Sequence, residues 1–97
     1  MVVVNDQKKN MNMGRADDND LVVKGNLISR IHAKVEKRRG KFILIDQSTN
    51  GTFLETVEGE ETFVRRDSTE LTGEGIIGLG RVAKPGTPLA IHYICEE

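Results

Sequence analysis

Residues 32–53 read HAKVEKRRGKFILIDQSTNGTF. In HAKVEK (32–37) apolar and polar residues alternate, with Ala33 and Val35 on one face, the period of a half-buried strand. RRGK (38–41) supplies a turn at Gly40, and KFILID (41–46) is a second β-rich run. Asn50-Gly51 then carries the strongest short-range signature of a tight hairpin, because both residue types tolerate positive φ. DQSTNGTF (46–53) is therefore expected to be a hairpin turn. It also carries Ser48, Thr49 and Thr52, and so many short polar side chains make it a candidate binding loop as well.

The same pattern continues in both directions. Upstream lie VVV (2–4), the run NMNMGR (10–15) ending at Gly14-Arg15, and LVV (21–23) after the Asp/Asn-rich RADDND. Downstream, TFLETV (52–57) and ETFVRR (61–66) flank EGE as a hairpin. STEL (68–71) and GIIGLG (75–80) are separated by TGEG. LAIHYI (89–94) places Leu89, Ile91 and Tyr93 on one face and Ala90, His92 and Ile94 on the other. RVAKPGTP (81–88) reads as a longer connection. No window holds a helical period of ten or more residues. Ten glycines and many short, regularly spaced strands predict an all-β sandwich or barrel.

Composition narrows the function. Ninety-seven residues make one domain, 1–97, able to bury a single modest core. With 37% hydrophobic and 30% charged residues it is a globular composition. A net charge of −1 argues against a protein that lives on nucleic-acid phosphates. Four aromatic residues and no Trp weaken any stacking platform for bases or sugars. Cys95 is the single cysteine, so no disulfide framework or Cys-based metal site is expected, and reduced cytosol is the natural compartment. No segment approaches the ~18 apolar residues of a membrane span.

Several strings resemble chemistry without its context. GEGIIG (73–78) fits G-x-G-x-x-G, but a dinucleotide site needs that string between a strand and a helix, and LGRVAKPG cannot be a helix. DDND (17–20) offers oxygen ligands, yet an EF-hand counted from Asp17 would need Gly and Glu where Val22 and Ile28 stand. EKRRGK (36–41) is a basic cluster, more consistent with a solvated hairpin carrying edge-protecting charges than with a nucleic-acid contact. His32 and His92 have no third metal ligand at a recognisable spacing. A nucleophilic site would have to be assembled from Ser29, His32 and Asp46, and no nucleophile elbow is present. No catalytic residue, metal or cofactor is expected.

What remains is GR (14–15), GNLISRIH (25–32) and STNGT (48–52). Two arginines, two or three hydroxyls and loop N–H groups are all donors to oxygen, a set that suits a tetrahedral dianion. The other reading treats them as unrelated turn residues. Residue types and spacing leave both readings open.

The ordered set resembles the forkhead-associated (FHA) domain family: Gly14-Arg15, then Ser29-Arg30-Ile31-His32, then Thr49-Asn50-Gly51-Thr52, then GIIGLGR, spanning about residues 10–95. No single piece is specific; their order and spacing are. The resemblance implies an FHA-type β-sandwich of about eleven short strands with recognition loops at one end. It implies binding of phosphothreonine in an extended peptide of a partner protein, without catalysis. By position, Arg15 would contact the phosphate or brace the adjacent loop. Ser29 Oγ would donate to a phosphate oxygen, and Arg30 would add a charged contact. Thr49 would reach the phosphate or line the pocket for the threonine methyl, and Asn50 would bond the peptide main chain. Gly14, His32 and Gly51 would be architectural, His32 tying the loops together from inside. The family usually has a strand ahead of the one represented by VVVND, and that first strand is expected to be absent here. The C-terminal part is also similar to FHA domains joined to bacterial class III adenylate/guanylate cyclases, which makes a cyclase regulatory segment the alternative reading.

Overall fold

The computed structural model describes residues 2–4, 10–84, 86–87 and 90–95. Ten strands run β1 Val2–Val4, β2 Asn10–Gly14, β3 Leu21–Val22, β4 Ala33–Arg38, β5 Lys41–Asp46, β6 Thr52–Thr56, β7 Glu61–Val64, β8 Ser68–Leu71, β9 Glu74–Leu79 and β10 Ile91–Cys95. They form two five-stranded sheets, ordered β1-β10-β9-β6-β7 and β3-β2-β4-β5-β8. The fold is the all-β sandwich expected, with ten strands among the described residues where the resemblance implies eleven. The VVV run is a strand, β1, paired in parallel with β10. Leu89, and Pro85 and Pro88 of the 81–88 connection, lie outside the described residues.

Period-2 alternation builds the core. Met13, Ala33, Val35, Phe42, Leu44 and Leu71 face inward from one sheet, and Leu54, Val64, Ile77, Leu79, Ile91 and Tyr93 from the other. Along β5 the inward positions are Phe42, Leu44 and then Asp46, so the register that buries two apolar residues also buries a carboxylate at the strand's end. Ile91 and Tyr93 are buried and His92 is exposed, as the alternation in LAIHYI predicts.

The hairpin expected at Asn50-Gly51 does not form. β5 pairs with β4 and β8, whereas β6 pairs with β7 and β9, so residues 47–51 cross from one sheet to the other. Gly51 has φ 88, but Asn50 is not among the positive-φ residues. The reason is that this segment's backbone donors go to groups outside any facing strand. Gln47 N–H donates to His32 O, Ser48 N–H to Asp46, Thr49 N–H to Ser29 Oγ and Gly51 N–H to Ser48 Oγ. The two-residue hairpin lies instead at RRGK, where Arg38 pairs with Lys41 and Arg39 and Gly40 take φ 52 and 78. EGE does join a hairpin, β6 to β7, with Gly59 at φ 92. TGEG, like DQSTNG, links the two sheets.

Hydrogen bonds tie the loops β2–β3, β3–β4 and β5–β6 to one another, and Arg65, Arg66 and Gly80 to residues 48–51, which gathers the candidate residues at one end of the sandwich.

Candidate functional site

The end of β2 is zipped to residues 28–32. Arg15 N–H donates to Ser29 O at 3.0 Å, Ala16 N–H to Arg30 O at 3.1 Å and His32 N–H to Met13 O at 3.0 Å. Gly14 makes this approach possible, because a Cβ there would collide with the Arg30 carbonyl. Arg15 Nε donates to Ile28 O at 3.1 Å, so this exposed side chain braces the loop that carries Ser29. Arg30 is exposed, and its carbonyl also accepts from Asn19 Nδ2 at 2.7 Å.

His32, fully buried, joins two loops through its ring. Nδ1 accepts from Ser29 N–H at 3.0 Å, and Nε2 donates to Gly51 O at 2.7 Å. Accepting at Nδ1 fixes the Nε2–H tautomer and a neutral ring. The 3.8 Å approach of Nε2 to Asp46 Oδ1 is therefore no ion pair. Gly51 O also accepts from Gly80 N–H at 2.9 Å, which ties in the β9–β10 loop.

Across this junction, Ser29 Oγ accepts from Thr49 N–H at 3.2 Å. The hydroxyl proton remains available to an incoming acceptor. Asn50 Nδ2 donates to Leu27 O at 3.0 Å, leaving its Oδ1 to accept. The backbones of Arg15, Ser29, Arg30, Thr49 and Asn50 are thus brought together on three cross-linked loops, joined through Gly14, His32 and Gly51.

Ser29, His32 and Asp46 do not make a nucleophilic triad. His32 receives the Ser29 backbone N–H and is directed at Gly51, so no base addresses the Ser29 hydroxyl. Asp46 instead organises the crossing segment. Its carboxylate accepts from Ser48 N–H (2.9 Å), Ser48 Oγ (2.8 Å), Thr52 Oγ1 (2.6 Å) and Arg66 N–H (2.9 Å). Burial alone would push the Asp46 carboxyl up. The donors of Arg66, Thr52 and Ser48 outweigh burial and hold it below its ordinary value.

Sequence reasoning missed the Asp46 hub and the two arginines after β7. Arg65 Nε donates to Thr49 O at 2.8 Å and Arg66 Nε to Ser48 O at 3.4 Å. The basic pair in ETFVRR was a visible signal, but only sheet pairing reveals which loop it meets.

The other strings have ordinary structural partners. Gly73 has φ 61 and leads into strand β9, so GEGIIG opens no helix. In the 17–20 turn Asp17 pairs with Lys24 at 2.8 Å and Asp20 accepts from Asn12 N–H. In the basic hairpin Glu36 holds Lys34 (3.0 Å) and Arg38 (2.6 Å), and those two cations lower its pKa. Among the described residues no group of three or more His, Cys, Asp or Glu could hold a metal ion. No helix among them is long and apolar enough to cross a membrane.

The FHA domain family model matches residues 11–80. No curated protein matches the chain significantly. Among solved structures it is similar to Mycobacterium tuberculosis EmbR in complex with a low-affinity phosphopeptide. That match has 26% identity and a TM-score of 0.60 and covers 75% of this chain but 18% of EmbR. It is similar to the MEK1 FHA domain in complex with a HOP1 phosphothreonine peptide, at 25% identity, TM-score 0.58 and 74% of each chain. The N-terminal FHA domain of S. cerevisiae Rad53p, at 22% identity, TM-score 0.62, 90% of this chain and 68% of that one, shares the fold. With the family match covering most of its length and all but one strand at either end, this chain belongs to the FHA domain family.

Proposed function

We propose that this domain binds phosphothreonine in an extended segment of a partner protein and acts as a signalling module rather than an enzyme. The observation that carries the reading is the Ser29–Thr49 junction: a serine hydroxyl that accepts a backbone N–H of the facing loop, in a segment braced by the exposed Arg15 and followed at once by the exposed Arg30. The phosphopeptide complexes of EmbR and MEK1 support it. The unit we assign spans 1–97, since β10, beyond the matched residues, pairs with β9 and buries Tyr93 in the common core. The single cysteine suits a reducing compartment, and we assign the domain to the cytoplasm. These relatives lend no support to attachment to a cyclase.

The chemistry follows from charge and geometry. A phosphothreonine carries about −1.5 to −2 charge at pH 7 and three strong acceptor oxygens. Ser29 Oγ–H, Arg15 and Arg30 donate to them, and an arginine fork engages two at once. Each hydrogen bond to a charged group contributes roughly 1.5–3 kcal/mol. Three or four, less the cost of ordering an extended peptide, correspond to micromolar binding, about −8 kcal/mol. Thr49 lines the site beside the threonine methyl, and Asn50 accepts from and donates to peptide main chain, setting register whatever the ligand's side chains. The methyl group by itself favours phosphothreonine over phosphoserine by about 0.8 kcal/mol, roughly fourfold.

Fluorescence anisotropy with a phosphothreonine peptide library and its unphosphorylated counterparts tests this reading. Arg15→Ala, Ser29→Ala and Asn50→Ala are each expected to weaken binding at least ~10-fold, the loss of one charge-assisted bond, with the domain still folded. Unchanged affinity in all three variants would overturn the site. A folded wild-type domain that binds no phosphothreonine peptide would overturn the function.

A further inference from the structure

The outer face of the β1-β10-β9-β6-β7 sheet carries an aromatic pair that the candidate site does not use. Phe53 of β6 and Phe63 of β7 are cross-strand partners, their ring centroids 4.8 Å apart. Phe63 is 54% exposed although it lies inside its strand. With Ile76, Val82 and Ala83 the two rings line a shallow groove of about 280 Å³. One row further along, Glu55 and Glu61 stand directly opposite each other, and among the described residues no ion pair includes either. Like charges so placed repel.

β7 is also the end strand of its sheet, and among the described residues no backbone group of 61–64 bonds on its outer side. Natural edges are blunted by brevity, polar or charged side chains, proline or a bulge. β3 has two residues and β1 three, and β8 carries serine, threonine and glutamate. β7 instead leads through Glu61-Thr62-Phe63-Val64-Arg65, a run with opposite charges at its two ends and Phe63 at its centre. The left-handed Arg66, φ 53, turns the chain away just beyond it.

We propose that this edge pairs antiparallel with the same edge of a second copy of the chain, joining two sandwiches through one continuous sheet. In the register centred on Phe63, Phe63 faces the partner's Phe63, Thr62 faces the partner's Val64 and Glu61 faces the partner's Arg65. Opposed residues of an antiparallel pair share a face, so Phe53 and Phe63 of both copies form one ladder of four rings. The partner's Arg65 falls in the row of Glu61 and Glu55 and offsets their repulsion. A shift of one residue would turn the partner's core face outward. A shift of two would set Phe63 against a charged residue and leave a charge without its opposite. Charge, aromatic contact and core continuity thus select one register and a self-complementary two-fold interface. The association does not depend on the phosphothreonine reading. Because the paired strands run in opposite directions, the candidate loops of the two copies lie at opposite ends of the assembly.

Sedimentation velocity over roughly 1–500 μM tests the pairing, and a contact this small is expected to take wild type from monomer to dimer at about tens of micromolar. E61R and R65E each set like charges against one another across the two-fold axis, and F63T removes the central rings. Each should weaken association at least ~10-fold. Mixing E61R with R65E restores both opposite-charge pairs, so the two should form a heterodimer at about the wild-type concentration although neither associates alone. Melting temperatures show which variants are folded, since R65E also removes the Arg65–Thr49 bond. E61R ends the repulsion with Glu55 within its own chain and should fold at least as well as wild type. With R65E unfolded, E61R and F63T decide the matter, and both must be monomeric. A wild type that stays monomeric throughout the range would overturn the proposal. A dimer that persists unchanged in folded E61R or F63T would overturn it too, because another surface would then hold the copies. Failure of folded E61R and R65E to associate on mixing would do the same.

Discussion

Replacing His32 with alanine takes out a ring with no exposed surface, one that bonds the β3–β4 loop at Ser29 and the crossing segment at Gly51. Two costs follow. Ser29 N–H, part-buried, loses its acceptor, and a donor left unsatisfied away from water costs about 1–3 kcal/mol. Gly51 O keeps the Gly80 N–H and suffers less. The cavity left by a buried ring of this size adds about 2 kcal/mol more. The sum, roughly 3–5 kcal/mol, is a large part of the 5–15 kcal/mol that holds a small domain together. At ~4–8 °C per kcal/mol for a chain of this length, the melting temperature should fall by at least ~12 °C. Thermal melts and urea denaturation followed by circular dichroism measure this directly, and phosphopeptide titration of the residual folded fraction shows whether binding falls with it. A His32→Ala domain that melts like wild type yet has lost phosphopeptide binding would refute the reasoning, because it would make His32 a ligand contact rather than the tie between loops.

The lowered pKa of Asp46 predicts an acid dependence. Its stabilising contribution is present above the ordinary value of 3.8 and is lost as pH falls through the lower folded-state value. Asp46→Asn should therefore be less stable at pH 7 by roughly 3 kcal/mol or more, from charge-assisted bonds at ~1.5–3 kcal/mol each. Its deficit should narrow in strong acid, and a gap in urea midpoint that is constant with pH would contradict this. Arg39→Asn places Asn-Gly where the backbone already has positive φ at both turn residues, and should raise stability by about 0.5–1 kcal/mol; a lower urea midpoint would count against the turn assignment. Gly14→Ala drives a methyl group into the Arg30 carbonyl and should cost about 2–3 kcal/mol. Faster hydrogen exchange at the Arg15 and Ala16 amides would show β2 parting from residues 29–30, and unchanged exchange would argue against that contact.

Alternation in HAKVEK and LAIHYI, β-branched runs and frequent glycine determined an all-β sandwich without reference to any contact, because the period of a strand is local chemistry. The spacing of Gly14-Arg15, Ser29-Arg30, His32 and Thr49-Asn50-Gly51 likewise singled out candidate residues, whose backbones meet where three loops are tied together. The signal at Asn50-Gly51 misled because a turn signature describes four residues, whereas a hairpin also requires that the flanking strands pair with each other. Here β5 and β6 found better partners in different sheets, so the tertiary structure turned a hairpin into a crossing. That crossing decided the rest: it left backbone donors to be met by Asp46, Ser48 and Ser29, it made a buried carboxylate tolerable, and it brought Arg65 and Arg66 to the loop. Such contacts join residues about twenty positions apart, and their energies depend on burial and on which edges meet, properties that no short stretch of sequence contains.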